Sequence, residues 1–109
     1  MHSDPKLTDR LRRVATERPL TERVMFGGVA FFCHGHMCCG IYHKLLILRI
    51  GEEAAIRAMK RPAVRPMDIT GKPMRGWIMV EPDGYQTSRQ LKSWIDKAEK
   101  FVMTLPRKK

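Results

Sequence analysis

Apolar residues at Leu7, Leu11, Val14 and Ala15 recur at i, i+4, i+7 and i+8, the spacing of one narrow helical stripe. The stretch carries its own punctuation. Asp4 before Pro5 supplies an N-cap acceptor and a proline at the first helical position. Arg18-Pro19 ends it, because a residue before proline is pushed out of the α region. From Met25 to Ile50 no acid interrupts the chain and the apolar period changes to two. His34-Gly35 and His43-Lys44 fall where two-residue hairpin loops would. The spacing predicts a three-stranded meander in which Cys33 faces His36, Phe32 faces Met37 and Phe31 faces Cys38. Past the second loop, Tyr42 faces Leu45 and Cys39 faces Leu48. Alternation then puts Ala30, Phe32, Met37, Cys39, Ile41, Leu46, Leu48 and Ile50 on one wholly apolar face, the expected core. The other face carries Val29, Phe31, Cys33, His36, Cys38, Gly40, Tyr42, Leu45, Ile47 and Arg49, mixed but too apolar for ordinary exposure.

Gly51 breaks the last strand, and Glu52-Glu53 suit the positive end of a helix dipole. That predicts a short helix to about Lys60 with Ala55, Ile56 and Met59 inward, stopped by Pro62. Residues 61–76 are rich in proline, glycine and cations, with room for a short strand from Val64 to Ile69. Trp77 to Val80 reads as a further strand, closed by Pro82-Asp83-Gly84. Thr87 with Gln90 three residues on forms a capping box. Leu91, Trp94, Ile95, Ala98, Phe101, Val102 and Leu105 then make a wide helical stripe before Pro106. The predicted order is α-β-β-β-α-(β)-β-α, a single α+β domain with helices on one face of an antiparallel sheet.

A length of 109 residues suits one domain over 1–109, with a core over about 7–106. The longest strictly aliphatic run is Leu45 to Leu48, and the polar start Met1-His2-Ser3-Asp4-Pro5 has no signal-peptide core, so no membrane association and a cytoplasmic setting are expected. Three cysteines, two of them adjacent at Cys38-Cys39 and none in a CxxC pair, suit a reducing compartment. The formal charge of +10 is spread along the chain, and Arg107-Lys108-Lys109 forms its terminal run. Such a charge attracts anions or serves solubility.

Candidate chemistry is sparse. Gly27-Gly28 could form an anion-binding nest, but no phosphate-loop pattern surrounds the pair, and positive φ or close packing accounts for it. Cys33, His36 and Cys38 share a face in the predicted register, a soft set suited to zinc, yet a fourth ligand is missing. No metal and no cofactor are therefore expected. No nucleophile–base–acid arrangement can be defended, so the chain is read as non-enzymatic. Arg57, Lys60, Arg61, Arg65, Lys72 and Arg75 crowd the second helix and the loop after it, and would face phosphates with a steep salt dependence. Without a helix-turn-helix or an aromatic array, nucleic-acid contact stays the alternative reading. Trp77 and Trp94 sit at core positions. Phe31, Tyr42, Leu45 and Ile47 form an apolar patch that no predicted helix covers, which points to a protein contact, most simply a homodimer.

Met25-Phe26-Gly27-Gly28, the hairpin, Thr70-Gly71-Lys72-Pro73-Met74-Arg75-Gly76-Trp77, and Leu105-Pro106 after an amphipathic helix form an ordered set. That set resembles the N-terminal domain of TfoX/Sxy proteins over nearly the whole chain. The resemblance implies a two-layer α-β(3)-α-β(2)-α fold like that of secretion chaperones, which often dimerise. It also implies a place in the regulation of natural competence, beside a DNA-binding transcription factor. Fuller relatives carry a second, helical domain, and the expectation here is the N-terminal domain standing alone. The resemblance brings no catalytic residues. Met25, Phe26, Gly27, Gly28, Gly71, Lys72, Pro73, Met74, Gly76 and Trp77 read as structural motif positions.

Overall fold

The computed structural model describes residues 4–25, 28–69 and 71–106. Of the predicted features, Phe26 and Gly27, Thr70 and the terminal run Arg107-Lys108-Lys109 lie outside the described residues. The chain runs as α1 (Pro5–Thr16), β1 (Thr21–Met25), β2 (Gly28–Cys33), β3 (His36–Tyr42), β4 (Leu45–Arg49), α2 (Glu52–Ala58), β5 (Val64–Pro66), β6 (Trp77–Val80) and α3 (Ser88–Val102), with a 3₁₀ turn at Pro82–Gly84. All strands join one antiparallel sheet in the order β1-β2-β3-β4-β6-β5. The α+β class and the antiparallel sheet are as predicted, but the meander has four strands where the sequence suggested three. The added strand, β1, lies at the sheet edge with four of its five residues exposed, so it has no buried alternation to announce it. Its charges suit an edge: Glu22 pairs with Arg12 of α1 at 2.7 Å, and Arg23 lies 4.6 Å over the Phe32 ring.

Local chemistry sets the helix ends. The Asp4 side chain accepts from Lys6 N–H at 3.1 Å with Pro5 at the first turn. Thr87 and Gln90 exchange the two bonds of the capping box at 3.1 and 2.9 Å. The α3 stripe buries Leu91, Trp94, Ile95, Ala98 and Val102 over β3 and β4, while Leu105 lies beyond the helix. Helix α1 packs beside α3, and Arg18 ties them by reaching Asp96 at 2.6 Å and Glu99 at 2.8 Å.

The first hairpin turns as predicted, with His34 and Gly35 both at positive φ (52° and 85°), and Cys33 pairs with His36 and Phe32 with Met37. Beyond that the register corrects the sequence reading. Phe31 pairs with Cys39, not Cys38, because Cys38 is an extra residue in β3, a β-bulge. One inserted residue exchanges the faces of everything on its far side. Val29, Phe31 and Cys33 therefore join Cys39, Ile41, Leu46, Leu48 and Ile50 beneath the helices, and Cys38 is buried with them. Ala30, Phe32 and Met37, expected in that core, lie on the opposite face with Ile47, Tyr42 and Leu45. Gly40 belongs to the same device: a Cβ there would sit 2.7 Å from the Met37 methyl and 3.2 Å from the Val29 carbonyl. The second hairpin keeps its predicted pairs, Tyr42 with Leu45 and Cys39 with Leu48.

Helix α2 ends at Ala58 and turns differently from the prediction. Ala55 faces the core as expected and is joined there by Ala58, whereas Ile56 and Met59, expected beside it, are 56% and 39% exposed. Small residues three apart let the helix lie close to β6. The joint before it is held by Gly76, whose carbonyl accepts from Ile50 and Gly51 N–H at 2.9 and 3.1 Å.

Candidate functional site

All three helices pack on one face of the sheet, in one core cluster with the inner strand residues. Among the described residues, the other face is covered by the chain leaving β5. Met67, 2% exposed, seats on Ala30, Met37, Ile47 and Met79, with Ile69 beside it. Around this plug, Phe32, Tyr42, Leu45 and Trp77 remain half-buried. Tyr42 and Leu45 are direct cross-strand partners at one end, and Trp77 sits opposite Arg49 at the other, with the Arg49 guanidinium 5.5 Å from its ring. The interface patch read from the sequence is thus divided. Tyr42 and Leu45 are available, Ile47 is buried under the plug, and Phe31 lies in the helix-side core at 3% exposure. Phe32 takes the place expected for Phe31, a change that follows from the bulge alone.

The motif positions build the crossing segment. Gly71 takes φ 97° and its N–H donates to the Asp68 carbonyl at 2.9 Å. Met74 N–H donates to the Met67 carbonyl at 3.0 Å, and Trp77 N–H to the Met74 carbonyl at 3.2 Å. Gly76 takes φ 85° where a Cβ would come within 3.3 Å of the Glu52 nitrogen. Lys72 and Pro73 are exposed between these points, Met25 closes β1 half-buried, and Gly28 opens β2 buried. Gly76 holds this loop against the β4–α2 joint, its carbonyl accepting from the Ile50 and Gly51 N–H groups.

The soft ligand set is not assembled. His36 donates from Nε2 to the Pro106 carbonyl at 2.6 Å, and Cys33 donates its S–H to Met103 Sδ at 3.2 Å. Cys38 is fully buried. Among the described residues, no three His, Cys, Asp or Glu side chains are grouped to hold a metal ion. The Cys39 thiol is pushed well up from its ordinary range, first by its hydrogen bond with Cys38 and then by burial. Such a thiol is a poor nucleophile. We expect all three cysteines to resist an aromatic disulfide reagent in the native protein and to react together on unfolding, as followed by absorbance. Rapid labelling without denaturant would show that the core opens locally.

The six cations around α2 are largely engaged. Arg57 pairs with Glu53 at 3.3 Å, Arg65 with Glu81 at 3.5 Å and Arg75 with Glu52 at 3.9 Å. Arg61 lies 4.4 Å over the Trp94 ring. Lys60 and Lys72 are exposed. No helix among the described residues is long and apolar enough to cross a membrane.

No curated protein matches the chain. Residues 12–102 match the family model described as TfoX N-terminal domain, and the match takes in every strand, α2, all of α3 and the crossing loop that the motif residues build. With that span of the 109 residues matched, the chain belongs to the TfoX N-terminal domain family.

Proposed function

We propose that this chain is a non-enzymatic protein-interaction module of transcription or competence regulation, cytoplasmic, and self-associating through the helix-free face of its sheet. The observation that carries the reading is the set Phe32, Tyr42, Leu45 and Trp77, left half-buried on a face that no helix among the described residues covers. Apolar surface of this kind marks a partner site, and a twofold contact would bury the same patch on both copies. Family membership supports a regulatory setting, with a DNA-binding transcription factor as the further partner. Direct nucleic-acid contact draws less support, since three of the six candidate cations already pair with carboxylates.

Sedimentation velocity tests the reading. The wild type is expected to sediment as a dimer that dissociates on dilution. Leu45→Asp should weaken association by at least about tenfold, because an unpaired carboxylate buried in an interface costs several kcal/mol. The half-buried position lets the variant monomer fold. A wild type that stays monomeric at the highest attainable concentration would contradict self-association.

A further inference from the structure

Three of the five exposed large apolar side chains among the described residues gather between α2 and the crossing loop, where Trp77 marks the end of the helix-free patch. Ile56 and Met59 of α2 and Met74 of the crossing loop are 56%, 39% and 37% exposed. With Pro66, Pro73 and Trp77 they line a single groove of about 390 Å³ between α2 and the loop. That is the lower end of ligand-pocket size, room for one or two anchoring side chains. Its rim is basic. Lys60 follows Met59 and Lys72 precedes Pro73, both of them exposed, and Arg75 lines the groove itself. Glu52 lines the groove as well, but Arg75 pairs with it at 3.9 Å.

We infer that this groove docks a short segment of a different protein in which one or two large apolar anchors are flanked by carboxylates. The inference rests on the interaction-module reading and adds a second surface to it. An apolar floor gives phosphates nothing to hold, so the floor selects against nucleic acid where the rim alone would not. A second copy meeting the groove by twofold symmetry would set basic rim against basic rim. Strand addition at β5 is disfavoured because that edge strand is three residues long and ends in Pro66. A segment with acidic flanks satisfies floor and rim together, in the manner of an amphipathic helix laid into an apolar groove.

The test pans a random peptide library on the full chain and measures the enriched peptides by fluorescence anisotropy. Expected are peptides with Asp or Glu around Leu, Phe or Trp. The double variant Ile56→Asp/Met74→Asp should bind them at least about tenfold more weakly, as loss of apolar anchors does. Lys60→Glu/Lys72→Glu should also weaken them, and Leu45→Asp should leave them unchanged. Both groove positions are exposed, and unchanged circular dichroism verifies that the variants fold. Enrichment no better on the wild type than on the groove variant overturns the inference. Loss in Leu45→Asp alone also overturns it, moving recognition to the sheet face and leaving the module reading intact. Displacement by duplex DNA through the same groove residues would replace the peptide by nucleic acid. Tight groove-dependent peptides on a chain that sediments as a monomer would keep the groove and remove the homodimer.

Discussion

Trp94→Ala is expected to lower the unfolding free energy by about 3–5 kcal/mol, the usual cost of removing a buried aromatic ring. The ring is 2% exposed and takes part in the core beneath the sheet. Its Nε1–H donates to the Gly84 carbonyl at 2.9 Å, which fixes the Pro82–Gly84 turn against α3. Gly84 could not carry a larger residue, since a Cβ there would meet Val80 Cγ1 at 2.5 Å and the Ala63 Cβ at 3.1 Å. Alanine therefore leaves both a cavity and an unsatisfied carbonyl. Trp94→Phe separates the two: it keeps most of the ring and loses the hydrogen bond, for about 1–2 kcal/mol. Urea unfolding reads both through the midpoint at constant slope. A domain of this size holds roughly 5–15 kcal/mol in all, so the alanine variant should lose about a fifth of it or more. A loss under about 1 kcal/mol would mean that the turn and α3 are held by other contacts.

Features that rest on residue chemistry at one point were legible in the sequence. The Asp4-Pro5 start, the Thr87–Gln90 box and the His34-Gly35 turn each need only their own few residues, and each is found where it was read. Features that depend on phase were not. One extra residue at Cys38 exchanged Phe31 for Phe32 on the open face, and alternation cannot announce it because both faces of β2 and β3 are apolar. Helix α2 has seven residues, too few to fix which of Ile56, Ala58 and Met59 joins Ala55 on the inner face. Bulk favoured the larger residues, whereas close approach to β6 favoured the alanines. The groove was invisible for the same reason, since the α2 wall is made by Ile56 and Met59, which the pattern assigned to the core. Strand β1 was missed because an exposed edge leaves no alternation to read.

Raising the pH from about 10 to about 12 is expected to remove on the order of 1–2 kcal/mol of stability through Tyr85 alone. Its hydroxyl donates to the Lys44 carbonyl at 2.6 Å, joining the turn before α3 to the β3–β4 hairpin. The residue is 5% exposed, and its pKa is pushed up from 10.0 to about 12, first by burial and then by the charge of Asp4, with Arg10 opposing. A raised acid pKa means that the folded protein keeps a proton that the unfolded chain has already lost. The contribution is therefore whole below pH of about 10 and fades as the pH climbs through the folded value. Tyr85→Phe should cost about 1 kcal/mol at neutral pH, by orphaning the Lys44 carbonyl. It should also flatten the alkaline decline, so the two stability curves converge and then cross. Urea midpoints collected from neutral to alkaline pH measure this, and lysine titration cancels in the comparison. Parallel curves would show that Tyr85 does not govern the alkaline limb. The hairpin tied down by this bond carries Tyr42 and Leu45 at its end. Self-association should therefore weaken over the same pH window, and less so in the phenylalanine variant.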